Sequence, residues 1–331
     1  MRVGKNNNEI MVSVSCLVYN HEKYLRRCLD GFVNQKTNFK FEVLIHDDAS
    51  TDGSADIIRE YEIKYPDIIK PIYQKENQYS KHIGINKTYQ YPRVKGKYIA
   101  FCEGDDFWTD ENKLQKQYDA LENHPQCGMC VHETTCVNED GSPNDRVFPL
   151  VHFDSGVISG SKIIQNYPEW LFHLSSFFIR KDLLFKLYYD NTQLCKLCPV
   201  GDTLIQYFSA AFTDYYFIDS KMSTYRLFSN GSWTQRLRTE NKITKTNERF
   251  IEFTKEFGRF LNDNCKGDYT DVIQEAIIRY KIQILLNKKE YKKIYQYRDS
   301  KYFSGFNKKL KLIVCLSKFI PGFERLYVKL K

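Results

Sequence analysis

No segment of the 331-residue chain approaches the run of roughly 20 apolar residues that a membrane-spanning helix requires. The nearest, residues 310–320, is short and broken by Lys311, Ser317 and Lys318. The opening MRVGKNNNEI has no apolar stretch of the kind a secretory signal carries, so no export is expected. Internal repeats are missing, which removes repeat architectures, and the only biased tract is the short asparagine run at positions 6–8. Cysteine is not scarce, but without a signal the 10 cysteines are read as reduced thiols and not as a disulfide framework. Two pairs have CxxC spacing, Cys127/Cys130 and Cys195/Cys198. Their separation far exceeds that of a compact zinc ribbon, so buried free thiols are expected there.

What is present is the composition of a folded protein, 42% hydrophobic, 15% aromatic and 27% charged. The length suits one large α/β domain with an appendage, or two modest domains. The net charge of +8 makes an acidic partner plausible without distinguishing a diphosphate, an anionic membrane or a nucleic acid, and the excess gathers after residue 288.

Alternating apolar runs and helical patterns organise the first half. Residues 11–18 are β-rich and carry no charge, the pattern of a buried strand. Residues 22–33 follow helical spacing through Tyr24, Leu25, Cys28, Leu29 and Phe32, and residues 41–45 read as a second strand. The turn residues 50–54 lead into a helix over 55–65, stopped by Pro66, then a strand over 68–73. A fourth buried strand over 97–102 runs directly into Glu103-Gly-Asp-Asp106. Helix over 110–122, strand over 128–137, a turn at Asp140-Gly141, strand over 174–179 and helix over 181–189 follow. Asp202 opens a further helix, and residues 241–331 read as all-helical. In open α/β sheets ligands bind beyond the carboxyl ends of the strands, so Asp47-Asp48 and Asp105-Asp106 are expected to converge on one crevice.

Adjacent carboxylates presented by a rigid strand end are what a hard divalent ion bridging a diphosphate needs, with the substrate phosphates completing its shell. The alternative for a bare acidic pair is a solvated turn.

Four segments together resemble glycosyltransferase family 2, whose catalytic domain has the GT-A fold. They are Val12-Ser-Val-Ser-Cys-Leu-Val-Tyr-Asn20, Ile45-His-Asp-Asp-Ala-Ser-Thr-Asp-Gly-Ser54, Gly96-Lys-Tyr-Ile-Ala-Phe-Cys-Glu-Gly-Asp-Asp-Phe-Trp108 with Lys113-Leu-Gln-Lys-Gln117, and Gly201-Asp202 at a helix start. They span roughly residues 11–230. The resemblance implies that Asp48 contacts the nucleotide base with Tyr19 and Asn20 near the same pocket, that Asp105 faces ribose or metal, and that Asp106 ligates Mg²⁺ or Mn²⁺. Turn capping is the alternative for Asp48. It also implies that Asp202 is the base of an inverting transfer, where the alternative is an ordinary helix N-cap.

The segment Tyr225-Arg-Leu-Phe-Ser-Asn-Gly-Ser-Trp233 resembles a late motif preceding a loop over the diphosphate, which brings in Arg226 and Ser232. Arg226 could equally be a surface arginine, and His173 could line the acceptor side or be a core histidine; Trp108 joins the same group. Ala49, Gly201 and Cys16-Leu-Val18 depart from the family's usual Gly, Glu and Pro-Thr, which leaves the donor open.

The expectation is a GT-A type, mostly parallel α/β sheet flanked by helices over residues 1–235, with a helical C-terminal region over 236–331. The enzyme would be a cytoplasmic glycosyltransferase, using a nucleotide-sugar, a UDP-sugar or similar, with a saccharide or lipid-linked acceptor and no nucleic acid. A catalytically silent binding protein and a zinc-bearing nucleic-acid module are the rivals. The basic apolar stretch 308–331 could lie on anionic lipid at the inner face of the membrane, or pack on the protein.

Overall fold

The computed structural model describes residues 9–229, 235, 242–320 and 323. The chain divides into two compact units, one of residues 1–162, 170–191 and 208–232, the other of residues 163–169, 192–207 and 233–331.

The first unit is built on a sheet. Strand β1 (Ile10–Val18) leads through helix α1 (Glu22–Val33) to β2 (Lys40–Asp47), then through α2 (Ser54–Lys64) to β3 (Ile69–Tyr73). After a looping segment come β4 (Tyr98–Phe101), β5 (Phe107–Trp108), α3 (Lys113–Asn123), β6 (Cys127–Val137), β7 (Pro143–Phe148), β8 (Gly156–Ile158), β9 (Phe178–Arg180) and β10 (Asp214–Arg226). The order is β3-β2-β1-β4-β9-β6-β10-β5, with β7 on β6 and β8 on β10. Strands β3, β2, β1 and β4 are mutually parallel, as are β6 and β10, whereas β9 runs antiparallel to both neighbours.

One face of β1 is apolar because it meets α1: Val12, Val14, Cys16 and Val18 join Leu25, Leu29 and Phe32 in one core cluster, while the other face carries the buried Ser13 and Ser15. Gly96 precedes β4 because a Cβ there would lie 2.5 Å from the Ser13 amide nitrogen. The loop between β3 and β4 is tied down by Gln90, whose buried Nε2 donates to the carbonyls of Leu44 (2.7 Å) and Cys16 (3.2 Å).

Several elements differ from the sequence-based expectation; the short strands β5, β7 and β8 had no assignment there. Residues 174–176 form a 3-10 turn and only Phe178–Arg180 is strand, because His173 and Ser176 side chains bond back to the local backbone. The 13-residue β10 was not anticipated: register shifts between Ile218 and Ser223 interrupt its alternation.

The second unit is helical. α4 (Gly201–Ala210) starts in it, followed by α5 (Ile243–Asn264), α6 (Thr270–Asn287), two short helices, and α7 (Lys308–Phe319). α5 and α6 pack through the stacked Phe250 and Tyr280 rings, 5.0 Å apart, and Tyr167 OH bonds Thr254 Oγ1 at 2.6 Å. A second small core gathers Ile282, Ile294, Phe303, Ile313 and Val314. No described helix is long and apolar enough to cross a membrane.

Candidate active site

Strands β2, β1 and β4 are neighbours and parallel, so the loops leaving their carboxyl ends share one edge of the sheet. Tyr19 and Asn20 follow β1, Asp48 follows β2, and Asp105 and Asp106 follow β4. The topology therefore brings these five residues to one edge.

The carboxylate pair is held by two chain segments. The backbone beyond β4 stays on β1 through Gly104 N, which donates to Leu17 O at 3.0 Å, and turns at Asp106 N, which donates to Glu103 O at 3.0 Å. Asp106 Oδ1 accepts the Arg226 amide at 2.9 Å, and Asp105 Oδ2 accepts the Ser229 hydroxyl. Phe228, with φ of 58°, bends the chain between those two contacts. Both acids are buried; burial, and next the Asp105 charge, hold the Asp106 carboxyl well above the ordinary carboxylate range.

His173 flanks the pair, its Nε2 3.7 Å from Asp106 Oδ2. Its Nδ1 accepts the Ser175 amide at 3.2 Å, so the neutral ring carries its proton on Nε2, facing the carboxylate. Burial pushes this imidazole down to about 3. The ring stacks on Tyr225 at 4.1 Å, and Ser175, Ser223 and Thr134 continue a hydroxyl chain behind it.

On the other side of the edge, Asp48 is engaged by the loop before β4. Its Oδ1 accepts the Gln78 amide at 2.7 Å and its Oδ2 the Tyr79 amide at 3.0 Å. These two bonds tie the loop before β4 to the end of β2. His46 Nε2 also lies 3.4 Å from Oδ1, which leaves Oδ2 as the less crowded oxygen. Asn20 (φ 58°) binds the turn between β2 and α2 through Thr51 N, which donates to its Oδ1 at 2.8 Å, while Tyr19 is 42% exposed. Asp47 Oδ1 is buried with no hydrogen-bond partner among the described residues.

Trp108, expected beside ligand, packs in the core: its ring meets Phe32 at 4.8 Å and its N–H donates to Ser175 O. Arg226 is buried and not a surface arginine, with Nε on Asp105 O and Nη1 on the carbonyls of Asn138 and Glu139. Asp202 belongs to the helical unit, at the start of α4, where its Oδ1 accepts Thr203 N at 2.6 Å and desolvation raises its carboxyl to about 6. Ser232 lies outside the described residues. Ser229, which holds Asp105, was missed although the late motif contains it; only the fold shows that its hydroxyl reaches a residue 124 positions away.

Among the described residues no three His, Cys, Asp or Glu converge as a metal cage. The donor set of Asp105 and Asp106 is two hard carboxylates, which suits a divalent ion that leaves most positions to phosphate and water. A cation there would also relieve the repulsion between the two buried acids.

Residues 13–186 match the family model described as Glycosyl transferase family 2, more than half of the chain. The chain belongs to this family. Its fold is GT-A: Staphylococcus aureus TarS residues 1–349, in complex with UDP-GlcNAc, superposes with a TM-score of 0.63 at 16% identity, covering 97% of this chain and 93% of that one. Among curated relatives, an uncharacterised protein of Mycobacterium tuberculosis is 41% identical over 141 residues, 42% of this chain and 39% of its own length. A Bacillus subtilis protein named as a putative teichuronic acid biosynthesis glycosyltransferase, TuaG, is 32% identical over 136 residues, 41% of this chain and 51% of its own length. The chain thus spans about half or less of the length of these two relatives.

Proposed function

We propose that the protein is an inverting glycosyltransferase that moves a hexosyl or N-acetylhexosaminyl group from a nucleotide-diphosphate donor, a UDP-sugar, to a hydroxyl of a growing envelope polysaccharide. The observation that carries this reading is the buried Asp105–Asp106 pair at the end of β4, clamped by Arg226 N and Ser229 Oγ on the same sheet edge as Tyr19, Asn20 and Asp48. The teichuronic acid role in the name of TuaG, and the UDP-GlcNAc bound by TarS, support the substrate class.

In this reading Tyr19, Asn20, Asp48 and Asp105 line the nucleotide, and Asp106 holds Mg²⁺ or Mn²⁺. The ion, when bound, offsets charge on the departing diphosphate. Asp202 removes the acceptor hydroxyl's proton as that oxygen attacks the anomeric carbon opposite the leaving group. A carboxyl raised to about 6 is a stronger base than an ordinary aspartate and is still mostly ionised at neutral pH. His173 presents its Nε2–H on the Asp106 side of the site, 3.7 Å from Oδ2. The catalytic domain would occupy residues 1–235 and the helical region 236–331.

Lys308, Lys309, Lys311 and Lys318 of α7, with exposed Leu312, Phe319 and Ile320 around them, support peripheral contact with anionic lipid at the cytoplasmic face.

The test is release of nucleoside diphosphate from a panel of sugar nucleotides, with and without Mn²⁺. Metal-dependent release from one donor, lost in Asp106→Asn, is the expected result. Donor binding with no turnover of any donor, with or without acceptor polysaccharide, would instead favour a silent binding protein.

A further inference from the structure

A pocket of about 760 Å³ opens between α1, the β6–β7 turn and the end of β10, lined by Lys23, Tyr24, Arg27, Arg226 and the turn residues 138–141. The sugar-nucleotide reading makes no use of it, apart from Arg226. We propose that it is an oxyanion site for a phosphate group carried by the acceptor chain. The word acceptor rests on the transferase reading; the anion site itself does not.

Two guanidinium groups are fixed there before any ligand arrives. Arg27 lies 3.6 Å over the Phe107 ring, and no acidic partner of its guanidinium is found among the described residues. Arg226 lies 4.4 Å over the Tyr24 ring, with Nε and Nη1 spent on backbone carbonyls. Stacking on aromatic faces holds each guanidinium flat: Arg27 keeps its edge donors for a pair of phosphate oxygens, while Arg226 has only Nη2 left to donate. Lys23 adds a third cation with no ion-pair partner among the described residues.

Both acids at the rim are engaged. Glu139 Oε1 accepts Tyr24 OH at 3.4 Å, and Asp140 Oδ1 accepts the Ser142 amide and hydroxyl. The neighbouring arginine of α1, Arg26, is instead paired with Glu60 and does not line the pocket. Holding Arg27 and Arg226 together against their mutual repulsion makes sense if an anion completes the site, and the Arg226 charge indeed lowers the Arg27 pKa, second to desolvation.

Arg226 also joins this pocket to the carboxylate pair, because its backbone nitrogen holds Asp106 and its Nε holds the Asp105 carbonyl. A phosphate bound here would therefore sit beside the proposed transfer site and fix the register of an anionic chain.

The experiment is isothermal titration of the full-length protein with sodium tripolyphosphate, comparing wild type with Arg27→Gln/Lys23→Gln. Both positions are exposed, so the double variant should keep the wild-type melting midpoint, which is measured first. The expected result is at least tenfold weaker binding in the variant, with wild-type binding undisturbed by saturating UDP in metal-free buffer. Equal affinity in both proteins, no binding by wild type at millimolar probe, or displacement by UDP would each overturn the proposal. UDP binding is read in a parallel titration, so failure of the sugar-nucleotide reading shows there and leaves the tripolyphosphate isotherm to be judged by itself.

Discussion

Ala49 holds a φ of 61° in the turn that follows β2, a region where a Cβ meets the adjacent carbonyl. Family members commonly place glycine here, and the backbone explains why. Ala49→Gly should therefore stabilise the fold by about 0.5–1 kcal/mol, the relief of strain being partly offset by the greater entropy of glycine in the unfolded chain. Urea titration of the two proteins checks this. Asp202 gives a second expectation at this scale. Because the base must be ionised, kcat/KM should fall as pH drops through about 6, tenfold per unit below it. Asp202→Asn should lower transfer about 100-fold or more and remove that acid limb from the pH profile. Asp202 was legible as a candidate from the Gly201-Asp202 segment at a helix start; its raised pKa was not, since desolvation depends on what the fold packs around it.

At the scale of elements, the loop between β3 and β4 shows how one carboxylate organises a segment. Asp48 accepts two consecutive backbone amides, Gln78 and Tyr79, and Asn77 Nδ2 donates to its carbonyl at 3.2 Å. Asp48→Ala would leave both amides without their charged acceptor, a loss of about 1–3 kcal/mol for each if it stays buried. Hydrogen exchange at Gln78 and Tyr79 should accelerate at least tenfold, and UDP affinity should fall with it. Strands β1 to β4 and helices α1 and α2 were readable because each carries a clear period and a stop signal, such as Pro66 after α2. β10 was not, since register shifts break its pattern, and the turn at 174–176 was hidden by an apolar run whose serines and histidine bond locally.

For the molecule as a whole, the fully buried Lys113 is the clearest liability. Its Nζ donates to Gln117 Oε1 at 2.7 Å and lies 4.0 Å from the Trp108 ring, and desolvation lowers it to about 7. The unfolded chain, with an ordinary lysine, binds that proton more tightly, so the fold loses stability as pH falls from about 10 toward 7, by at most about 1.4 kcal/mol per unit. Lys113→Met should remove this component: relative to wild type it gains most near pH 7, and the difference shrinks toward pH 10. Chemical denaturation of both proteins across that range reads the trend, which a pure packing change would not produce.

The amino-acid sequence by itself determined the parallel half of the sheet, the carboxylate pair after β4 and the family, because these depend on local periodicity and on motifs contiguous in the chain. The tertiary structure alone decided what those residues touch. It set Asp48 against the Gln78 and Tyr79 amides, packed Trp108 in the core, and brought Arg226 and Ser229 at the distant β10 end onto Asp106 and Asp105. Contacts across more than a hundred residues carry no local signature, since any of many side chains could satisfy a buried carboxylate and only the strand order selects which one does.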